Sequence, residues 1–189
     1  MRSINNENAF TGLEAAIVLI AFVVVAAVFS YVVLGAGFFT TQKSQEVVHT
    51  GVQQASSTLE IVGNVYGTGT TGQYIDVINF SCALAPGGTS VDFDKVVITY
   101  SNSSSLETLA RGEKLHSPGA GGWTIAAVQN EVTTDDVLEK GEQFDLMAQP
   151  TQHITKNDQF QIEIKPAIGA ALSISRTAPA SILKVNTIY

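Results

Sequence analysis

The chain has 189 residues, and 45% of them are hydrophobic while only 14% are charged, well under the quarter that is usual for a soluble domain. Ten basic residues against 17 acidic ones give a formal net charge of -7, and no basic run is present, which excludes a nucleic-acid partner recognised through its phosphates. One cysteine, Cys82, closes no intramolecular disulfide, and His49, His116 and His153 lie too far apart in sequence to form a metal-ligand motif, so a disulfide scaffold, a zinc site and any other cofactor are not expected.

Met1 to Ala9 is a short polar stretch with one arginine, and Phe10-Thr11-Gly12-Leu13-Glu14 leads from it into an apolar run. From Ala15 to Phe39 there are 25 uncharged residues, and about 20 suffice for a helix to cross the hydrocarbon core of a bilayer. An ordinary secretory signal has a shorter apolar stretch and a small-residue cleavage site behind it. Flanking charges (Arg2, Glu7 and Glu14 before, Lys43 after) give little orientation bias. Gly12, Gly35, Gly37 and the alanines admit close helix approach, while Gly35 and Gly37 are equally suited to bending the helix.

A short polar leader ending in a small residue, an aromatic residue after it, a glutamate four residues further on and then an apolar helix together resemble the class III signal of type IV pilins and archaeal flagellins (archaellins). The resemblance implies that a membrane leader peptidase cuts between Ala9 and Phe10 and leaves the apolar helix on the mature chain. Ala9 stands where that family usually has glycine. Glu14 would then be the fifth mature residue. In an apolar bundle its carboxylate would pair with the new α-amine of Phe10, from its own or a neighbouring subunit. A local reading stands beside it, in which Thr11 and Glu14 form a capping box at the helix start.

Beyond Phe39, the spacing of Val48, Val52, Ala55, Leu59 and Val62, with glutamines and charges between them, predicts that an amphipathic helix continues to Val62. Residues 10–62 are thus read as one long helix, spanning the membrane before assembly and forming a filament core after it. Gly63 to Gln73, with four glycines in eleven residues, reads as a linker. From residue 74 to 189 the period becomes two. Phe160, Ile162 and Ile164 face opposite Gln161, Glu163 and Lys165, and Phe144 and Leu146 alternate with Gln143 and Asp145. Further strands are expected at Tyr74–Leu84, Val91–Tyr100, Trp123–Val128, Leu172–Arg176 and Ile182–Ile188, separated by turns rich in glycine, proline and serine. The expected fold class is α+β, a long apolar N-terminal helix followed by an antiparallel, immunoglobulin-like β-sandwich.

Two N-glycosylation sequons occur, Asn79-Phe80-Ser81 in a strand pattern and Asn102-Ser103-Ser104 in a serine-rich turn. Each is read as a glycan acceptor, against the alternatives of an ordinary strand residue and a turn-forming asparagine. Catalysis finds little support. His116-Ser117 is followed by proline and glycines and reads as loop. Asp135, Asp136 and Glu139 lack the ligand spacing of a calcium loop, and Cys82 reads as a small core residue.

Helix and sandwich together, with the terminal Tyr189 and no paired-cysteine loop, resemble an archaellin more than a bacterial pilin. The resemblance implies a non-enzymatic subunit that associates with copies of itself or sister archaellins into an extracellular helical filament driving swimming, after a stage in the cytoplasmic membrane. An adhesion pilin and a membrane-anchored immunoglobulin-like binding domain are the alternatives.

Overall fold

The computed structural model describes residues 6–189; the first five residues of the expected leader lie outside the described residues, as do the side chains of residues 6–11 and 56. It divides into two compact units, Met1–Thr50 and Gly51–Tyr189.

Helix α1 runs without interruption from Asn6 to Ser56, about 76 Å at 1.5 Å per residue. Gly35 and Gly37 lie inside it and do not end it. The hydroxyls of Thr40 and Thr41 donate to the carbonyls of Ala36 and Gly37 one turn back, at 2.8 and 2.9 Å. Two polar side chains at the end of the apolar run are thereby satisfied by the helix itself. The capping-box reading does not hold in the full chain, because α1 begins at Asn6 and carries Thr11 and Glu14 in its interior.

The helix does not reach Val62. It stops at Ser56, and strand β1 occupies Leu59–Thr68. Three hydroxyl residues, Ser56-Ser57-Thr58, compete with the helical ladder, and the amide of Ser57 makes the last bond back, to Gln53 at 2.9 Å. Ser57 is buried, its hydroxyl bonded to Thr89 and its carbonyl to the amide of Ala170 at 3.2 Å. Leu59 then enters the core of the second unit. The 4,3,4,3 spacing through Leu59 and Val62 arose where a helix meets a strand, and burial of Leu59 and Val65 decided the conformation.

The expected linker is mostly strand. Gly67 lies in β1 where a Cβ would stand 2.8 Å from the side chains of Ile188 and Ile75, and a Cβ on Gly69 would collide with the carbonyl of Tyr74. These glycines serve close packing, not flexibility.

The remaining strands are β2 Val77–Leu84, β3 Val91–Asp92, β4 Val97–Asn102, β5 Leu106–Arg111, β6 Gly122–Gln129, β7 Val137–Leu138, β8 Gln143–Gln149, β9 Gln159–Lys165, β10 Leu172–Thr177 and β11 Val185–Ile188, with a 3-10 turn at Phe93–Lys95. Of the eleven strands among the described residues, nine hydrogen-bond in the order β10-β9-β4-β5-β6-β8-β2-β1-β11, and β3 pairs with β7. All pairs are antiparallel except β5 with β6, which run parallel through Ala110·Gly122 and Arg111·Trp123, a departure from the all-antiparallel expectation. That short pairing joins the two halves of the sheet. At the far end the amide of Thr177 in β10 donates to the carbonyl of Tyr189 at 2.8 Å, bringing the two edge strands together. One hydrophobic core fills the interior, drawing Ile78, Phe80, Phe144 and Leu146 from one half and Ile98, Tyr100, Phe160 and Ile162 from the other. Phe93 packs edge-on against both Trp123 and Phe144, with ring centroids 6.3 and 5.0 Å apart. Cys82 is buried in this core, and its thiol is pushed up to about 12 by burial and by the nearby Asp145 carboxylate.

Candidate assembly site

Every residue from Gly12 to Val52 is exposed within the single chain. The segment Gly12–Ala55 is long and apolar enough to cross a membrane. Valine, isoleucine, leucine and phenylalanine surround the helix on all sides, with Ile17, Phe22, Val25 and Phe29 all more than half exposed. A helix apolar all round cannot stand in water; lipid or other protein must cover it. Glu14 is the sole acidic residue between Gly12 and Gln45. It is exposed and borders an apolar groove with Val18, Leu19 and Phe22. Lys43 and Glu46 pair at 2.6 Å where the apolar run gives way to polar sequence. The helix is continuous across Ala9 and Phe10, whose side chains lie outside the described residues.

The two sequon asparagines stand on the second unit. Asn79 is central in β2, which is paired on one edge with β1 and on the other with β8. Alternate residues of β2 are buried, so Asn79 projects on the solvent side, beside Tyr66 and Met147. Its Nδ2 lies 3.4 Å from the Thr68 hydroxyl. Asn102 ends β4 at the hairpin to β5. Its Oδ1 accepts from the amides of Ser104 and Ser105 at 2.8 and 2.7 Å, a turn that the serine-rich sequence favours. Each asparagine lines a cleft, a mixed polar and apolar one of about 240 Å³ at Asn79 and a mainly polar one of about 250 Å³ at Asn102.

The acidic residues weighed for calcium do not converge. Arg111 pairs with both Asp94 and Asp136 and lies 5.7 Å from the centre of the Trp123 ring. Lys114 reaches Asp136 at 3.1 Å and the carbonyl of Asp135 at 2.7 Å. Burial pushes the Asp136 carboxyl up, but the bonds from Lys114 and Arg111 outweigh it and hold the group below its ordinary value. Asp135 accepts from the amide of Val137 at 2.9 Å. Among the described residues no group of three His, Cys, Asp or Glu is placed to hold a metal. His116 and Ser117 are both exposed, and His116 Nδ1 lies 3.0 Å from the Lys114 carbonyl.

Sequence inspection missed Glu142. This carboxylate is buried and accepts amide N–H bonds from Val132 at 2.6 Å and Glu139 at 2.9 Å. Burial pushes it up, while bonds from the amides of Val132, Glu139 and Thr133 outweigh the effect and hold it below its usual range. It fixes the loop between β6 and β8. Its position after Lys140-Gly141, in a turn, was the one available signal.

The comparisons agree with this architecture. The family described as archaeal-type flagellin matches residues 9–176. Probable flagellin 1 of Archaeoglobus fulgidus is 46% identical over 96% of this chain and 95% of its own length. Probable flagellin 1 of Aeropyrum pernix is 35% identical over 90% of this chain and 92% of its own. Among solved structures, the archaeal flagellum of Methanospirillum hungatei superposes with a TM-score of 0.75 at 36% identity, covering 94% of this chain and 99% of that one. An archaeal flagellin from Methanocaldococcus jannaschii, at 15% identity and a TM-score of 0.57, shares the fold over 69% of this chain and 95% of its own. A continuous apolar helix followed by a mostly antiparallel β domain, matched in sequence from Ala9 into the tenth strand, establishes that the chain belongs to the archaeal-type flagellin family.

Proposed function

We propose that this chain is a structural, non-enzymatic subunit of an archaeal flagellum filament and serves swimming motility. The observation that carries the reading is the apolar helix, exposed from Gly12 to Val52 in a chain whose relatives are flagellins. Copies of the same helix are the cover it requires. Helices that leave lipid for a bundle of their own kind exchange one apolar surrounding for another, and close packing at Gly12, Gly35, Gly37 and the alanines favours the bundle. A contact between unlike surfaces of successive copies does not close on itself and generates an open helical filament. The β domain forms the outer wall, and the assembled filament is extracellular.

Several finer steps belong to the same reading. A leader peptidase cuts between Ala9 and Phe10 while the helix is held in the cytoplasmic membrane. Glu14 lies one helical turn past Phe10, and in the apolar bundle its carboxylate pairs with the new α-amine of its own or a neighbouring subunit. The same carboxylate sits at the end of the first turn of the shortened helix, near the positive pole of the macrodipole. Asn79 and Asn102 are the glycan acceptors on the outer wall. Deleting the gene and restoring it with the wild-type or the Glu14→Val form tests the reading. Wild type restores swimming and Glu14→Val yields few or no filaments; unimpaired swimming of the deletion strain would reject the flagellar role in favour of an adhesive fibre.

A further inference from the structure

The cleft at Asn79 is built by irregularities on both sides of it. Strand β1 slips register against β2 between Val62 and Tyr66, with Gly63 at a φ of 78°, and β6 slips against β8 between Ile125 and Ala127. Such bulges bend a strand locally, and these two border the same patch of one sheet face. A surface that regular strands would leave flat becomes a shallow cleft of about 240 Å³. Tyr66 pairs directly with Asn79 across the strands and stays 41% exposed. Around it stand the polar Asn64, Ser81, Gln129 and Asp145 and the apolar Ala126 and Met147. Gln129 Nε2 donates to Asp145 at 2.8 Å, and Ser81 donates to the same carboxylate, so the donors and acceptors are already oriented. An accessible tyrosine ring beside fixed amide and carboxylate groups matches a sugar ring, which presents an apolar C–H face and a fringe of hydroxyls.

We propose that this cleft is the seat of the first sugar of a glycan carried by Asn79, stacked on Tyr66 and hydrogen-bonded by Asn64, Gln129 and Asp145. The proposal rests on the glycosylation reading above. In forming the linkage, the Asn79 carboxamide nitrogen bonds to C1 of a sugar delivered on a lipid phosphate. The bond from C1 to the phosphate oxygen breaks, the phosphate leaves with that electron pair, and the amide gives up one proton; nothing is oxidised or reduced. The substituted amide keeps one N–H for Thr68. The glycan thereby becomes part of the wall and braces β1 against β2 and β8.

A double-mutant cycle on filaments sheared from cells tests this. Thermal unfolding is compared for wild type, Asn79→Gln, Tyr66→Ala and the double variant, with the mass of the peptide containing Asn79 recorded in each. The wild-type and Tyr66→Ala peptides are expected to carry the glycan. Loss of Asn79 is expected to lower Tm by about 2–4 °C when Tyr66 is present and by under about 1 °C when it is absent. Equal shifts in both backgrounds, with the glycan on the peptide, would overturn the seat and leave glycosylation standing. An unmodified Asn79 peptide from wild-type filaments would overturn both. Where Tyr66→Ala filaments do not form, Gln129→Ala runs the same cycle with the same expectations.

Discussion

Glu142 shows how much of the outer domain depends on one side chain. Its carboxylate gathers amides from Val132 and Glu139, two points of the segment that joins β6 to β8. Glu142→Gln places an amide NH₂ among those donors, and a loss of about 1.5–3 kcal/mol is expected, the size of a hydrogen bond to a charged group. Chemical denaturation checks the magnitude, and faster protease cleavage between residues 131 and 137 checks the place. Asp136 and Glu142 both have carboxyls held below the ordinary value, so the stability they contribute is present above the unfolded-state pKa of about 4 and is lost as pH falls through their lower folded-state values. Unfolding midpoints should therefore be flat above about pH 5 and fall below about pH 4, with a shallower fall in Glu142→Gln. Gly169 makes a different case. It has a φ of 122°, and a Cβ there would collide with the Ser57 carbonyl, so Gly169→Ala should cost more than about 1 kcal/mol and loosen the start of β1. A Gly169→Ala domain as stable as wild type would contradict that account.

At the scale of elements, what was legible in the sequence followed the strength of the period. The apolar run of α1 and the alternations of β8 and β9 were plain, because each of those strands buries one face and shows the other to water. Strand β5 was not legible: among its six residues only Leu109 is buried, since it lies where the sheet turns from one half to the other. The end of α1 was misread because Leu59 and Val62 continue a helical spacing by coincidence, and tertiary burial overrode it. Sequence pointed to Glu14 and to both sequons as motifs, yet the cleft at Asn79 depends on bulges in β1 and β6, which bring residues from four strands together and leave no local signature. The division into units predicts that residues 51–189 alone form a soluble, β-rich monomer. Circular dichroism and sedimentation check this, and an aggregated or unfolded product would contradict it. Conversely, Val25→Asp places a charge near the middle of the apolar run, at about 2.5–3.5 kcal/mol on insertion scales, and should leave the outer domain folded while abolishing filaments.

The whole molecule is two surfaces with opposite requirements joined in one chain. The helix needs company of its own kind, and the sandwich, with its own complete core, needs none. In the proposed reading such a subunit is held by a membrane before it enters a polymer, and the step between the two is release of the helix from lipid into the bundle. The central claim is that this helix, freed at Phe10, ends in an extracellular filament. The direct measurement is the N-terminal sequence and intact mass of the protein in filaments sheared from the cell surface. The account predicts a chain that begins at Phe10 and is heavier than its sequence mass. A protein found only in membranes and beginning at Met1 would contradict it.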